Sequence, residues 1–333
     1  MNTENSIASS RPAVPAVHGI VVIDKPAGMT SHDVVGIARK LFRTKRVGHT
    51  GTLDPDATGV LVLCLGNATR LAEYLSAAHK HYVAEVVFGV ETDSQDASGK
   101  VLMECDASHI TATTIRSLLP AFRGTIQQVP PMVSALHHEG QRLYDLARQG
   151  IVVEREARTV RIDELEMTEF IPGLHPKARL EITCSTGTYI RTLAADIGAA
   201  ADVGGIMQTL RRTWVGERLS EIDRPFSLER TQTLDALRVR AQVGTLPEII
   251  LPLAVALANW PQVRLDTIQT AHIRHGRALT LEGLNASQRM NLNVIPDLSE
   301  KLVPIALLDE DNEVVAIAHL QETRLQPYKV FAI

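Results

Sequence analysis

Residues 48–59, Gly-His-Thr-Gly-Thr-Leu-Asp-Pro-Asp-Ala-Thr-Gly, constrain this chain more than any other stretch, because they hold Asp54 in a glycine-bracketed loop that runs straight into an apolar strand. Pro55 disfavours helical backbone at the residue before it, and Gly48, Gly51 and Gly59 allow conformations and close approaches that other residues resist. Any short piece of this run, an Asp-Pro or a Gly-Thr pair, reads as a surface turn. Taken together, the twelve residues describe a stiff loop that presents a carboxylate. The apolar run Val60–Leu65 that follows has the character of a strand buried on both faces, which anchors the loop.

The surrounding sequence places this loop in a mixed architecture. Residues 1–18 carry no hydrophobic periodicity and are expected to form a mobile tail. Ile20–Ile23 reads as a buried strand, Lys25-Pro26-Ala27-Gly28 as a turn, and Ser31 as the N-cap of a helix carrying Val34, Ala38, Leu41 and Phe42 at helical spacing. Tyr82, Ala84, Val86 and Phe88 alternate along a further strand. Helices are expected over 111–122 and from about Gln141 to Gly150, strands over 157–170 and 178–186, and a helix from the Gly187-Thr188-Tyr189 corner to about Ala200. Leu210-Arg211-Arg212 lies near another short strand. Strands separated by isolated helices, without regular β-α-β alternation, predict a mixed α+β domain over 19–245. A loop-like stretch near 244–252 then leads to a small β-rich unit over 251–333, with strands at 303–308 and 313–318.

Composition excludes more than it assigns. The chain has 333 residues, 45% of them hydrophobic and 22% charged, which is ordinary for a globular protein of two domains. It has no apolar run near the roughly 20 residues of a spanning helix and no basic-then-apolar leader, so the expectation is a cytoplasmic protein without membrane contact. Cys64, Cys105 and Cys184 are far apart and expected to be reduced, and no histidine pair is completed to a metal site. The formal charge of −4 requires any nucleic-acid contact to come from local patches. Arg39, Lys40, Arg43, Lys45 and Arg46 form one such patch just ahead of the Asp54 loop, although the same run also suits the C-terminal end of a helix. The last 83 residues hold seven Lys+Arg and nine Asp+Glu, a balance of −2 and weak electrostatics for an RNA clamp.

The run around Asp54 resembles the signature of the TruB family of tRNA pseudouridine synthases, and further blocks match that family in order. They are Asp24–Ser31 with its Lys25-Pro26 turn, Lys80-His81-Tyr82 with the acidic turn Thr92–Gly99, Gly187–Thr192, and Leu210-Arg211-Arg212. The resemblance implies a pseudouridine synthase catalytic domain with a thumb-like insertion, followed by a PUA-like C-terminal domain. It also implies Asp54 as nucleophile, Arg191 as its paired cation, Tyr82 stacking on the target uracil, Tyr189 and Leu210 as apolar walls, Lys25 and Pro26 as cleft supports, and His49 filling the space left by a flipped base. The implied reaction isomerises uridine 55 in the T-loop of tRNA with neither metal nor organic cofactor. The implied partner is the tRNA T-arm, with no obligate protein partner.

Chemistry agrees with these roles. An extruded base is held well by an aromatic face, at about 1–3 kcal/mol per stack. A carboxylate entering a desolvated pocket needs a cation to stay ionised, and a guanidinium fixes both its charge and its direction. Tyr82 is also a candidate for assisting proton removal, though an ordinary phenol is a poor base. The chain departs from the family pattern at Val133 and His137, where many members have tyrosine and lysine; both changes bear on RNA grip rather than chemistry. Three other readings compete: a synthase acting on another RNA, a tRNA-folding module, and a carboxylate glycosidase. The last needs a second acid across the scissile bond, and Asp56 is too near in sequence to assume that geometry.

Overall fold

The computed structural model describes residues 17–134, 137–138, 140–142, 146, 149–151, 153–216, 226–292 and 303–331. Its strands, in chain order, are β1 (Gly19–Lys25), β2 (Val47–His49), β3 (Thr58–Leu65), β4 (His79–Phe88), β5 (Val90–Thr92), β6 (Val101–Glu104), β7 (Gly124–Gln128), β8 (His137–His138) and β9 (Gln141–Arg142). They continue with β10 (Arg158–Ile171), β11 (Lys177–Cys184), β12 (Gly205–Gly216), β13 (Phe226–Ser227), β14 (Gln262–Arg264), β15 (Leu279–Thr280), β16 (Pro304–Leu308), β17 (Val314–Gln321) and β18 (Arg324–Val330).

A nine-stranded sheet runs in the order β1-β3-β12-β4-β11-β10-β7, with β2 added to β3 and β13 to β12. Its pairings are antiparallel except that of β12 with β3, where Arg211 and Arg212 lie beside Thr58 and Gly59. The sheet therefore joins a chain segment near residue 60 to one near residue 211 at the mouth of the Asp54 loop. A second sheet of five strands, ordered β14-β16-β17-β18-β15, forms the small β-rich C-terminal unit. The architecture is the mixed α+β fold expected of the sequence, with a small β-rich unit after the large sheet.

The apolar runs in β1 and β3 are explained by two cores. Val21, Ile23, Leu61, Leu63 and Leu65 face one core together with the helices Ser31–Leu41 and Ile190–Ala200. The alternate residues Ile20, Val22, Val60, Val62 and Cys64 face a second core, shared with Ala306, Leu308, Ile317 and Phe331 of the C-terminal unit. A strand covered on both sides has no polar face to alternate with, so its sequence is continuously apolar. Each such side chain contributes about 1.5–3 kcal/mol on full burial.

Three expectations change in detail. The first helix is capped by Thr30 rather than Ser31: Asp33 N–H donates to the Thr30 hydroxyl, and the Asp33 carboxylate accepts in return from the Thr30 N–H. This capping box leaves Ser31 free to turn inward. Gln141 and Arg142 do not begin a helix but pair with His137 and His138 as a short hairpin; most of 143–148 lies outside the described residues. Leu210-Arg211-Arg212 belongs to β12, a long central strand of 12 residues rather than a short one.

Candidate active site

The Asp54 loop spans the connection between β2 and β3, which pair with each other as His49 beside Leu63 and Gly48 beside Cys64. Five consecutive carbonyls of this loop are held from outside or across it. Arg212, 1% exposed, donates from Nη2 to Gly51 O (3.0 Å), from Nη1 to Thr52 O (3.4 Å) and from Nε to Val60 O (2.7 Å). The buried Ser31 hydroxyl donates to Leu53 O (3.1 Å) and accepts from Leu53 N–H (2.9 Å). Ala57 N–H donates to Asp54 O (3.1 Å). Pro55 O accepts from Gly28 N–H (3.0 Å) and from Lys25 Nζ (2.8 Å). A loop with every carbonyl from 51 to 55 engaged is fixed before any ligand arrives, which is the condition for precise placement of a reacting group.

Gly59 explains how the loop re-enters the sheet so closely against β12. Its φ is +99°, and a Cβ built there would lie 2.1 Å from the Arg212 carbonyl oxygen. Only glycine lets the two backbones meet at this point.

The Asp54 carboxylate meets Arg191 side-on, with Arg191 Nε 3.0 Å from Oδ2 and Nη2 3.2 Å from Oδ1. Arg191 is 4% exposed, whereas the Asp54 side chain is 36% exposed, so the carboxylate remains reachable while its partner does not move with solvent. The guanidinium is further held by Ser94 O (3.3 Å), Val133 O (2.8 Å) and the Asp96 carboxylate (3.5 Å). Burial pushes the Asp54 pKa above its ordinary value; Arg191 opposes this, Asp96 reinforces it, and Lys25 and Asp56 act more weakly in opposite senses.

A cavity of about 240 Å³ opens beside this pair, and Asp54, Tyr82, Tyr189, Arg191 and Leu210 all line it. Five of the residues singled out in the sequence thus converge, although they lie on four separated segments. Tyr82 and Arg212 are register partners across β4 and β12, which sets the tyrosine beside the loop. Burial raises the Tyr82 phenol pKa, with Arg212 partly offsetting it, and burial likewise raises that of Tyr189. Lys25, Pro26 and His49 do not line the cavity. Lys25 is fully buried and spends its ammonium on three carbonyls, those of Pro26, Met29 and Pro55, and burial lowers its pKa to about 8. His49 stands at the end of β2 next to the loop; its Nδ1 is buried without a hydrogen-bond partner, and burial lowers its pKa.

Several contributors escape the sequence reading. Asp96, Arg212 and Lys80 stand in blocks noted above and Gln128 in none, but their contacts are not legible there; for Asp96, Arg212 and Gln128 the partner lies far along the chain. Lys80, 6% exposed, lines the cavity and donates from Nζ to Ser76 O (3.0 Å) and Ala78 O (2.8 Å). Val133, where many members of the family have tyrosine, offers its backbone carbonyl to Arg191. The side chain of His137 lies outside what is described. Among the described residues, no group of three or more His, Cys, Asp or Glu is placed to hold a metal ion, and no helix is long and apolar enough to cross a membrane.

Comparison with known proteins converges on the same region. A family model described as "TruB family pseudouridylate synthase (N terminal domain)" matches residues 39–190. The tRNA pseudouridine synthase B of Symbiobacterium thermophilum is 46% identical over 267 residues, covering 80% of this chain and 84% of that protein. That of Thermobifida fusca is 40% identical over 319 residues, covering 94% and 98%. Among solved structures, a Cbf5-Nop10-Gar1 complex contains a chain that is 27% identical, with a TM-score of 0.68 over 94% of this chain and 85% of that one.

Proposed function

This chain belongs to the TruB family of pseudouridylate synthases, and from that membership and the cavity beside Asp54 we propose that it converts uridine 55 in the T-loop of tRNA to pseudouridine. The observation that carries this reading is the side-on pairing of a reachable Asp54 with a buried Arg191 at the edge of a cavity walled by Tyr82, Tyr189 and Leu210.

The reaction breaks the N1–C1′ glycosidic bond, turns the uracil, forms a C5–C1′ bond, releases the C5 proton and leaves N1 carrying a proton taken up from solvent, so no atom is gained or lost overall. Asp54 acts as the nucleophile, and Arg191 holds it ionised and aimed against the desolvation that pushes it toward its neutral form. Tyr82 provides the stacking face for the extruded base. Its raised phenol pKa favours that role over proton removal. Leu210 and Tyr189 close the remaining walls. Lys25 acts one step back, holding the Pro55 carbonyl and hence the loop, and His49, outside the cavity, occupies the gap left in the RNA stack.

The exposed cations Arg39 and Lys40, in the last turn of the first helix, and Arg43, Lys45 and Arg46, just after it, stand next to this loop and suit contact with T-arm phosphates. Relatives named tRNA pseudouridine synthase B at 40–46% identity favour tRNA over guided substrates, since the chains solved in Cbf5 complexes stand at 25–27%. We place the protein in the cytoplasm, with its substrate.

The test is tritium release from an unmodified tRNA transcript labelled at uracil C5, with the product mapped and Asp54→Asn run in parallel. Wild type is expected to release tritium from one T-loop uridine, that at position 55, and Asp54→Asn to lose on the order of a thousandfold or more in rate while binding tRNA within about threefold. Equal loss of binding and release in the variant would overturn the nucleophile assignment; binding without release by wild type would favour the tRNA-folding reading.

A further inference from the structure

Gln128 is the last residue of β7, immediately before the Val129-Pro130-Pro131 entry to the thumb-like insertion. It is 2% exposed. Its side-chain amide makes a two-way hydrogen bond with the backbone of one residue 61 positions away: Nε2 donates to Tyr189 O (3.0 Å), and Tyr189 N–H donates to Oε1 (2.7 Å). This pattern is the one a neighbouring strand would make, reproduced by a single side chain.

Tyr189 is the N-cap of the Ile190–Ala200 helix, and its side chain makes no capping bond there. Gln128 therefore satisfies the backbone at the point where extended chain turns into helix, and sets the position at which the helix begins. Two residues further on stands Arg191. The same root of the insertion reaches Arg191 directly, through the Val133 carbonyl. Both the helix start and the guanidinium are thus tied to residues 128–133.

We infer that Gln128 is a positioning residue of the active site: through its paired bonds to the Tyr189 backbone it fixes the angle at which Arg191 meets Asp54 and the place of the Tyr189 wall. The inference rests on the proposed reaction only for its kinetic consequence; its structural consequence is independent. An amide is required because one donor and one acceptor must face the peptide group together. Glutamate lacks the donor at neutral pH, and an apolar residue of similar length lacks both.

Gln128→Met keeps the length and burial of the side chain and removes the two bonds; Gln128→Glu keeps the acceptor alone. The first readout is the ionisation of Asp54, followed by the carbon-13 shift of its carboxyl carbon and assigned with Asp54→Asn. The groups acting on that carboxylate are Arg191, Asp96, Lys25 and Asp56. Loosening Arg191 weakens the one strong influence favouring the charged form, so the midpoint is expected to move to higher pH in Gln128→Met and less far in Gln128→Glu. The second readout is single-turnover tritium release, expected to fall about 10- to 100-fold in Gln128→Met, as for one or two lost buried hydrogen bonds, with tRNA affinity within about threefold. A folded Gln128→Met variant whose Asp54 midpoint stays at the wild-type value overturns the inference, even if it is less stable, because a merely structural glutamine would lower stability without moving that midpoint. If wild type releases no tritium, the proposed reaction fails, while the titration still decides the role of Gln128.

Discussion

Asp54 stands between opposed influences, and its reactivity depends on which prevails at a given pH. Burial raises its pKa and Arg191 pulls it down, with the net result above the ordinary carboxylate value. A carboxylate with a raised pKa keeps its proton to higher pH, so activity that needs the ion is lost as pH falls through that raised value. The acidic limb of the pH–rate profile is expected above the usual aspartate range of about 3.9. Asp96 contributes to the elevation by repulsion, yet Arg191 keeps Ser94 O and Val133 O as anchors without it. Asp96→Asn should therefore shift the limb to lower pH while slowing the plateau, by about tenfold for one charge-assisted contact removed. A limb that moved upward would show that Asp96 matters more by holding Arg191 in place than by its charge.

At the scale of elements, the site is a junction of strand ends. β3, β12 and β4 bring the loop, Arg212 and Tyr82 into register, and the tightest contact is that of Gly59 with the Arg212 backbone. Gly59→Ala meets both a positive φ and a clash with backbone that cannot swing away. It is expected to cost about 2–4 kcal/mol in chemical denaturation and to lower tritium release in the fraction that folds; a loss under about 0.5 kcal/mol would mean that β3 and β12 can separate freely. This scale also marks the limit of what the sequence discloses. Strands such as Ile20–Ile23 and Val60–Leu65, and the loop between Gly48 and Gly59, are local patterns and could be read directly. The contacts of Arg212, Asp96 and Gln128 could not, even where the residue fell in a matching block, because an arginine that holds carbonyls 152 to 161 residues away leaves no periodic trace. The Ser31 hydroxyl suits a cap, but Thr30 and Asp33 together complete the reciprocal pair, and Ser31 reaches Leu53 instead. Lys25 and Pro26 matched a motif, which located them near the loop without telling contact from support.

The whole molecule is held across its two sheets by the second core. Phe331, 1% exposed, packs there with Ile20, Val22, Val60 and Val62; its N–H donates to Val315 O (2.7 Å), and Arg70 of the catalytic part lies 5.3 Å above its ring. Lys329 adds an ion pair to Glu73 and sits 4.7 Å from the Tyr74 ring. Phe331→Ala is expected to cost about 3–5 kcal/mol, as for other buried phenylalanines. In calorimetry the loss should uncouple the C-terminal unit, giving two transitions where wild type gives one. A single transition at the wild-type temperature would show that the contact does not join the two parts.

The same core sets an order on the making of the protein. β1 leaves the ribosome early, yet the core that Ile20 and Val22 share with residues such as Leu71 and Leu253 is completed only by Ala306, Leu308, Val314, Ile317 and Phe331. At about 5–20 residues per second, that cover arrives roughly 15–60 s later. Through this interval the large sheet carries a partly uncovered apolar face, so the newborn chain has a window in which to associate with its neighbours, and the C-terminal unit with Phe331 is what closes it.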